Sequence, residues 1–74
     1  MEDKFYEILE NILETKVDKN SNLNMDNCKN WTSLAHIDII MSLEEEFEIK
    51  FNKEELTNLK SQNDLLNSIK EKLC

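Results

Sequence analysis

Residues 31–51 read WTSLAHIDIIMSLEEEFEIKF, and they contain the central helix of the predicted fold. Thr32 carries a hydroxyl that can accept a hydrogen bond from an unpaired amide in the first turn of a helix. From Ser33 to Phe47 the segment contains no glycine or proline, and the glutamates near its end favour helix. The sequence therefore predicts a helix over residues 33–47, with Thr32 as its N-cap.

The apolar side chains of this helix form two patches. With about 100° of rotation per residue, one set falls on the side expected to face the core: Ile39, Ile40, Leu43 and Phe47. Beside it lies a second patch of Leu34, Ile37 and Met41, and the acidic residues around that patch are Asp38, Glu44, Glu45 and Glu48. Together the patches cover roughly 200° of the circumference, which is wider than a core-facing helix needs. Because a small domain can bury only one stripe, the second patch predicts a surface for another molecule.

Three further segments are predicted to be helical. In residues 3–14, apolar side chains repeat at the spacing of one buried face; they are Phe5, Ile8, Leu9, Ile12 and Leu13. Asn52 can cap a short helix over residues 53–59, and Ser61 can cap a last helix. The core-facing residues of that last helix are predicted to be Leu65, Leu66, Ile69 and Leu73. The expected fold is all-α, a small four-helix bundle with three long helices, one short helix and a long first loop, in a single domain over residues 1–74.

The long first loop runs from Thr15 to Trp31 and has no periodic apolar pattern. A loop of this length in a small domain is unusual unless it is functional or held in place. We expect Val17, Leu23 and Met25 to hold it by packing into the core. Since the chain contains neither glycine nor proline, turns that need a positive φ are expected to fall on asparagine.

The composition limits the classes of partner. The 74 residues include nine lysines, no arginine and 16 acidic residues, which give a net charge of −7. This charge would repel nucleic acid and favours basic protein partners. No apolar run approaches the roughly 20 residues of a membrane span, and no signal-peptide core follows Met1. We therefore expect a cytoplasmic protein with no membrane partner, and a monomer is the simplest expectation.

The sequence predicts no metal site. Cys28 and Cys74 have no metal-like spacing, and with a single histidine they make a poor zinc set. We expect both to be free thiols in a reducing compartment. Adjacent carboxylates such as those of Glu44, Glu45 and Glu46 point in different directions on a helix, so they rarely converge on one cation.

Ser33 stands at the start of the central helix, where most isolated serines are simply solvent-facing. A nucleophilic serine needs a base within hydrogen-bond reach, and the base needs a third group to orient it. His36 lies on the same side of the helix, but we expect it to pack beside Leu43, either at the margin of the core or on the surface. No catalytic residue is therefore predicted. Ser33 suits the role of an acceptor for another enzyme, because helix N-terminal amides and the helix dipole favour an attached phosphodiester.

Residues 31–34 (WTSL), followed by residues 41–47 (MSLEEEF), resemble the start of the second helix of acyl carrier proteins. The length, acidity, helix spacing and serine position of the whole chain fit this family. In the family, the serine of an Asp-Ser-Leu motif carries a 4'-phosphopantetheine arm from coenzyme A. Here Thr32 stands in place of the usual aspartate. It can cap the helix with similar strength, but it removes a negative charge beside the serine and suggests a specialised carrier.

The resemblance implies a role for each matching residue. Ser33 would be the covalent attachment site of 4'-phosphopantetheine, and the chain itself would not be an enzyme. The implied docking residues are Leu34, Ile37 and Met41 as apolar contacts and Asp38, Glu44 and Glu45 as charges. Trp31 would either pack under the start of the helix or shield the attachment point. The implied core lining of Ile40, Leu43 and Phe47 opens in some family members to shelter an acyl chain.

The implied partners are a phosphopantetheinyl transferase, an acyl-loading ligase or synthase, and acyltransferases with basic patches. The cargo is left open, because fatty acyl, aminoacyl, short hydroxyacyl and polyketide carriers share this architecture. One alternative also remains, an unmodified helical interaction module that docks through Leu34, Ile37 and Met41. Covalent mass on Ser33 distinguishes the two hypotheses.

Overall fold

The computed structural model describes residues 2–73 and contains four α-helices. Their bounds are Glu2–Leu13 (α1), Ser33–Phe47 (α2), Lys53–Asn58 (α3) and Gln62–Leu73 (α4). The prediction of a small all-α protein with three long helices, one short helix and a long first loop is confirmed. None of the helices in residues 2–73 is long and apolar enough to cross a membrane. Cys74, predicted to be a free thiol, lies outside the described residues, whereas Cys28 is a half-buried free thiol.

Side chains near in sequence cap three of the helices. Thr32 accepts a hydrogen bond at Oγ1 from the Ala35 amide at 3.2 Å, as predicted. Asn52 and Glu55 form a reciprocal capping box at the start of α3, and Ser61 Oγ accepts from the Asp64 amide at 3.1 Å ahead of α4. These contacts satisfy amides that have no partner within their own helix.

The expectation that positive φ would fall on asparagine is only partly correct. Asn22 has a φ of 49°, but the other two such residues in the described part of the chain are Glu14 and Glu48, both at 53°. Glu48 is the C-cap of α2, where its left-handed backbone ends the helix. The left-handed cap is a general way of satisfying terminal carbonyl groups. In a chain without glycine, a glutamate adopts it here.

The core lies between the inner faces of the long helices. Its fully buried side chains are Phe5, Leu9, Leu13, Ile39, Leu43, Leu65 and Ile69. Phe47, predicted to lie in the core stripe, is half-buried and packs against this cluster. The prediction that Leu73 faces inward is wrong, because this side chain is 49% exposed. It is the last residue of α4, one turn beyond Ile69, where the helix has run past the core.

Gln62 holds the long loop against the start of α4. Its side chain is 1% exposed, and its Oε1 accepts hydrogen bonds from Ser21 Oγ and from the Leu23 amide. Its Nε2 donates to the carbonyl oxygen of Asp18 at 2.7 Å. The oxygen and the nitrogen of this buried amide are thus both hydrogen-bonded. The bonds stabilise the position of the loop, because burial removes the water that would otherwise bind these polar groups.

The apolar contacts predicted for the loop are also present. Val17 is 2% exposed, and Leu23 and Met25 are partly buried against the core. The Met25 amide donates to the Lys60 carbonyl at 3.0 Å, and Asn30 Nδ2 donates to the carbonyl of Leu13 at 2.7 Å. These contacts attach the loop to the end of α1 and to the residues just before α4.

Glu55 joins α3 to α4. Its carboxylate accepts hydrogen bonds from Lys72 Nζ at 2.7 Å and from Ser68 Oγ at 2.9 Å, in addition to its capping bond with the Asn52 amide. The hydrogen bond from Lys72 is the largest cause of a fall in the pKa of Glu55 from 4.5 to about 2, followed by that from the Asn52 backbone. The ionised carboxylate is therefore the form that the folded chain favours.

We predict that Glu55→Gln lowers the free energy of unfolding at pH 7 by on the order of 1 kcal/mol, a modest value because the pair is partly exposed and solvent screens it. Because the folded-state pKa lies below the unfolded value, the contribution of Glu55 is complete above pH 4.5 and is lost as the pH falls towards 2. Urea unfolding of the native chain and of the variant at pH 7 and pH 3 measures the difference in their free energies of unfolding. This difference should be smaller at pH 3.

The control is Glu54→Gln, since the neighbouring Glu54 side chain is exposed and makes no hydrogen bond within residues 2–73. This variant is expected to unfold like the native chain at both pH values. A gap between the Glu55 variant and the native chain that is equal at pH 7 and pH 3 would contradict the linkage.

Candidate functional site

Ser33 is the first residue of α2 and its side chain is exposed. Within residues 2–73 its hydroxyl makes no hydrogen bond, since the cap is supplied by Thr32 instead. The first turn of α2 contains no acidic residue, so no carboxylate competes with an anion for the positive end of the helix dipole. The structure thus presents an accessible hydroxyl at a helix start that favours a phosphate group.

The second apolar patch of α2 is exposed. Leu34 is 77%, Ile37 53% and Met41 61% exposed, whereas Ile39 and Leu43 on the same helix are fully buried. The patch begins beside Ser33 and runs along the outer side of α2. An apolar strip of this kind is typical of an interaction surface.

Leu56 of α3 extends this surface. Leu56 is 38% exposed, whereas Leu59, three residues later, is 9% exposed. A groove of about 270 Å³ lies between α2 and α3. Its lining residues are His36, Ile37, Ile40, Met41, Glu44 and Leu56. The contribution of Leu56 depends on how α3 lies against α2, and the sequence of a six-residue helix does not specify that.

The three predicted docking charges differ in their surroundings. Asp38 and Glu45 are exposed and make no hydrogen bond or ion pair within residues 2–73. Glu44 is half-buried, and its Oε2 accepts a hydrogen bond from the Phe51 amide at 2.9 Å. Glu44 therefore fixes the chain that follows α2, a role that sequence reasoning missed because the two residues are seven positions apart. Of the three predicted docking charges, Asp38 and Glu45 therefore remain free beside the patch.

Trp31 packs under the start of α2, which was the first of the two interpretations for this residue. It is 2% exposed, and its indole Nε1 donates a hydrogen bond to His36 Nδ1 at 3.1 Å. His36 cannot act as a base for Ser33 in this arrangement, because its lone pair is already used by Trp31. Burial lowers the pKa of His36 below 6.5, and the backbone of Leu56 partly opposes this shift.

Within residues 2–73, no group of three or more histidine, cysteine, aspartate or glutamate side chains could hold a metal ion. The candidate site of the described chain consists of an exposed serine, an apolar patch and free carboxylates that include those of Asp38 and Glu45.

Comparison with models of protein families finds no match for this chain. Comparisons with curated proteins and with solved structures find none either. Function is therefore inferred from the residues and their geometry.

The division of α2 into a buried and an exposed face predicts unequal effects of truncation. Leu43→Ala is expected to lower the free energy of unfolding by about 2–5 kcal/mol, because it opens a cavity in the core. Met41→Ala, two residues earlier, is expected to change it by less than about 0.5 kcal/mol. Urea unfolding of the two variants measures both values. Similar losses in the two variants would mean that the outer patch is buried in solution.

Proposed function

We propose that this chain is an acyl carrier protein that holds its cargo as a thioester on a 4'-phosphopantetheine arm attached to Ser33. The observation that carries the proposal is the position of Ser33, an exposed hydroxyl at the start of α2, directly beside the exposed patch of Leu34, Ile37 and Met41. A modifying enzyme that docks on this patch would find the serine at one end of it. The acyl-carrier resemblance of residues 31–34 and 41–47 supports the same conclusion.

The chemistry assigns a passive role to Ser33. A transferase would remove the proton of the hydroxyl, and the serine oxygen would attack a phosphorus atom of coenzyme A. The phosphoanhydride bond would break, the nucleotide half would leave, and a phosphodiester to Ser33 would form. The product carries negative charge at the N-terminus of α2, where the helix dipole stabilises it.

The charge distribution supports basic partners. The chain has a net charge of −7, and Asp38 and Glu45 flank the apolar patch without internal partners within residues 2–73. Such an arrangement steers a positively charged surface towards the patch and fixes its orientation. The partners would be a phosphopantetheinyl transferase, an acyl-loading ligase or synthase, and acyltransferases. Glu44 would contribute to the charge while its carboxylate also holds the Phe51 amide.

The groove between α2 and α3 offers an apolar surface next to the attachment site. Ile37, Ile40, Met41 and Leu56 supply most of its lining, and a fatty acyl or polyketide cargo could lie against it. A carrier of this kind would work in the cytoplasm, where coenzyme A is available. Thr32 caps α2 as an aspartate would, so the start of the helix does not depend on an aspartate. The missing negative charge beside Ser33 would instead affect recognition by the transferase. It favours a carrier in a specialised biosynthetic pathway.

The second candidate is an unmodified interaction module. The exposure of Leu34, Ile37 and Met41 favours it by itself, because an apolar patch can bind a protein without any covalent group. Under this hypothesis Ser33 would be an ordinary solvent-facing hydroxyl.

We predict that incubation with coenzyme A and a broad-specificity phosphopantetheinyl transferase adds one phosphopantetheine to the native chain. Intact mass spectrometry measures the addition. Ser33→Ala should remain unmodified, whereas Ser42→Ala, which removes a second hydroxyl from the same helix, should be modified like the native chain. If several transferases leave the native chain unmodified, the unmodified module is favoured.

The same assay with Thr32→Asp tests the role of the missing charge. The variant should be modified several-fold faster than the native chain, because the charge that the transferase meets in other carriers is restored. Equal rates would show that Thr32 does not affect recognition, without affecting the assignment of Ser33.

A further inference from the structure

Trp31 and His36 form a hydrogen bond across the start of α2. The indole Nε1 and the imidazole Nδ1 are 3.1 Å apart, the ring centroids are 6.2 Å apart, and the ring planes meet at an angle of 28°. Trp31 is two residues before Ser33, and His36 is three residues after it. The contact therefore joins the end of the long loop to the first turn of α2, on both sides of Ser33.

This contact requires a neutral histidine. Because Nδ1 accepts a hydrogen bond from the indole N–H, the neutral imidazole carries its own proton on Nε2. That Nε2 atom is buried and has no hydrogen-bond partner within residues 2–73. A protonated imidazole has donors on both nitrogens and cannot accept a hydrogen bond. Protonation of His36 would thus leave the indole of Trp31, which is 2% exposed, without an acceptor.

The backbone of Leu56 favours the charged form, but within residues 2–73 no ionised partner reaches the imidazole. The groups recorded against the imidazole from outside α2 are the Trp31 indole of the long loop and the backbone of Leu56 in α3, and neither of them is charged. Among residues 2–73, Glu44 is the only ionisable side chain besides His36 that lines the same groove, and its carboxylate accepts a hydrogen bond from the Phe51 amide. Within residues 2–73, no carboxylate oxygen lies within 4.0 Å of the imidazole nitrogens. A buried imidazolium here would lack a counter-ion.

We propose that the Trp31–His36 hydrogen bond is a proton-operated latch, closed while His36 is neutral and opened by its protonation, that ties the long loop to the first turn of α2. Opening reaches the segment around Ser33, because the His36 amide donates to the Thr32 carbonyl at 2.9 Å and the Thr32 hydroxyl caps the Ala35 amide. The latch is a property of the unmodified chain, so its test does not depend on whether the chain is a carrier protein.

Nuclear magnetic resonance tests the latch directly, because the chain has one tryptophan and one histidine. We expect the indole N–H signal of Trp31, the ring C–H signals of His36 and the Ser33 amide to shift together as the pH falls from 8 to 5. Their common midpoint should lie below 6.5, the ordinary pKa of histidine, since the neutral form is the one that the fold binds. Far-ultraviolet circular dichroism over the same range should show that the helices persist.

Two variants complete the test. His36→Gln retains an acceptor oxygen but cannot titrate, so its indole signal should not change between pH 8 and 5. Trp31→Phe removes the donor that holds Nδ1, so the His36 midpoint should rise. The proposal is overturned if the indole signal of the native chain stays constant while His36 titrates. It is also overturned if the midpoint is 6.5 or higher, or if the indole signal of His36→Gln titrates as in the native chain.

Discussion

The core of this chain can cover only one side of α2, and the rest of the structure follows from that constraint. Ile39 and Leu43 are fully buried, and Ile40 is 5% exposed. These contacts fix the rotation of the helix about its own axis, so Leu34, Ile37 and Met41 must face solvent. A domain of this size buries only about 60% of its unfolded surface, and the four helices of residues 2–73 leave the second face uncovered. The exposed patch is thus a consequence of how the core is built.

The same constraint places Ser33. The N-cap at Thr32 fixes the start of α2, and the buried face fixes its rotation, so the serine is held at the end of the exposed patch. The long loop approaches this point from below, tied by Gln62 to α4 and by Trp31 to His36. An accessible hydroxyl is therefore held at the start of a helix, while the loop beneath it is held by polar contacts and by the apolar side chains of Val17, Leu23 and Met25. This combination suits a residue that other enzymes must reach.

Local interactions made much of this fold predictable. Thr32, Asn52 and Ser61 each accept a hydrogen bond from an amide three residues ahead, so the starts of α2, α3 and α4 follow from neighbouring residues alone. The two faces of α2 follow in the same way from helical periodicity. The extent of the core was less predictable, since Leu73 continues the apolar pattern of α4 but lies beyond the packed layers.

Contacts between distant residues were not predictable from the sequence. Gln62 binds Asp18, 44 positions away, and nothing in the pattern of α4 distinguishes this glutamine from a solvent-facing one. The need of a buried indole for a hydrogen-bond partner could be stated from the sequence, but the identity of that partner as His36 required the structure. Glu44 likewise belongs by sequence to an acidic surface, and only the fold shows that it also holds the Phe51 amide.

The attachment of a phosphopantetheine arm to Ser33 can be tested by measuring the mass of the chain after purification from the cells that naturally produce it. Intact mass spectrometry followed by peptide mapping reports both the added group and its position. We expect one phosphopantetheine, with or without an acyl group, on the peptide that contains Ser33. A chain that is entirely unmodified in those cells, or that carries the group on another residue, would contradict it.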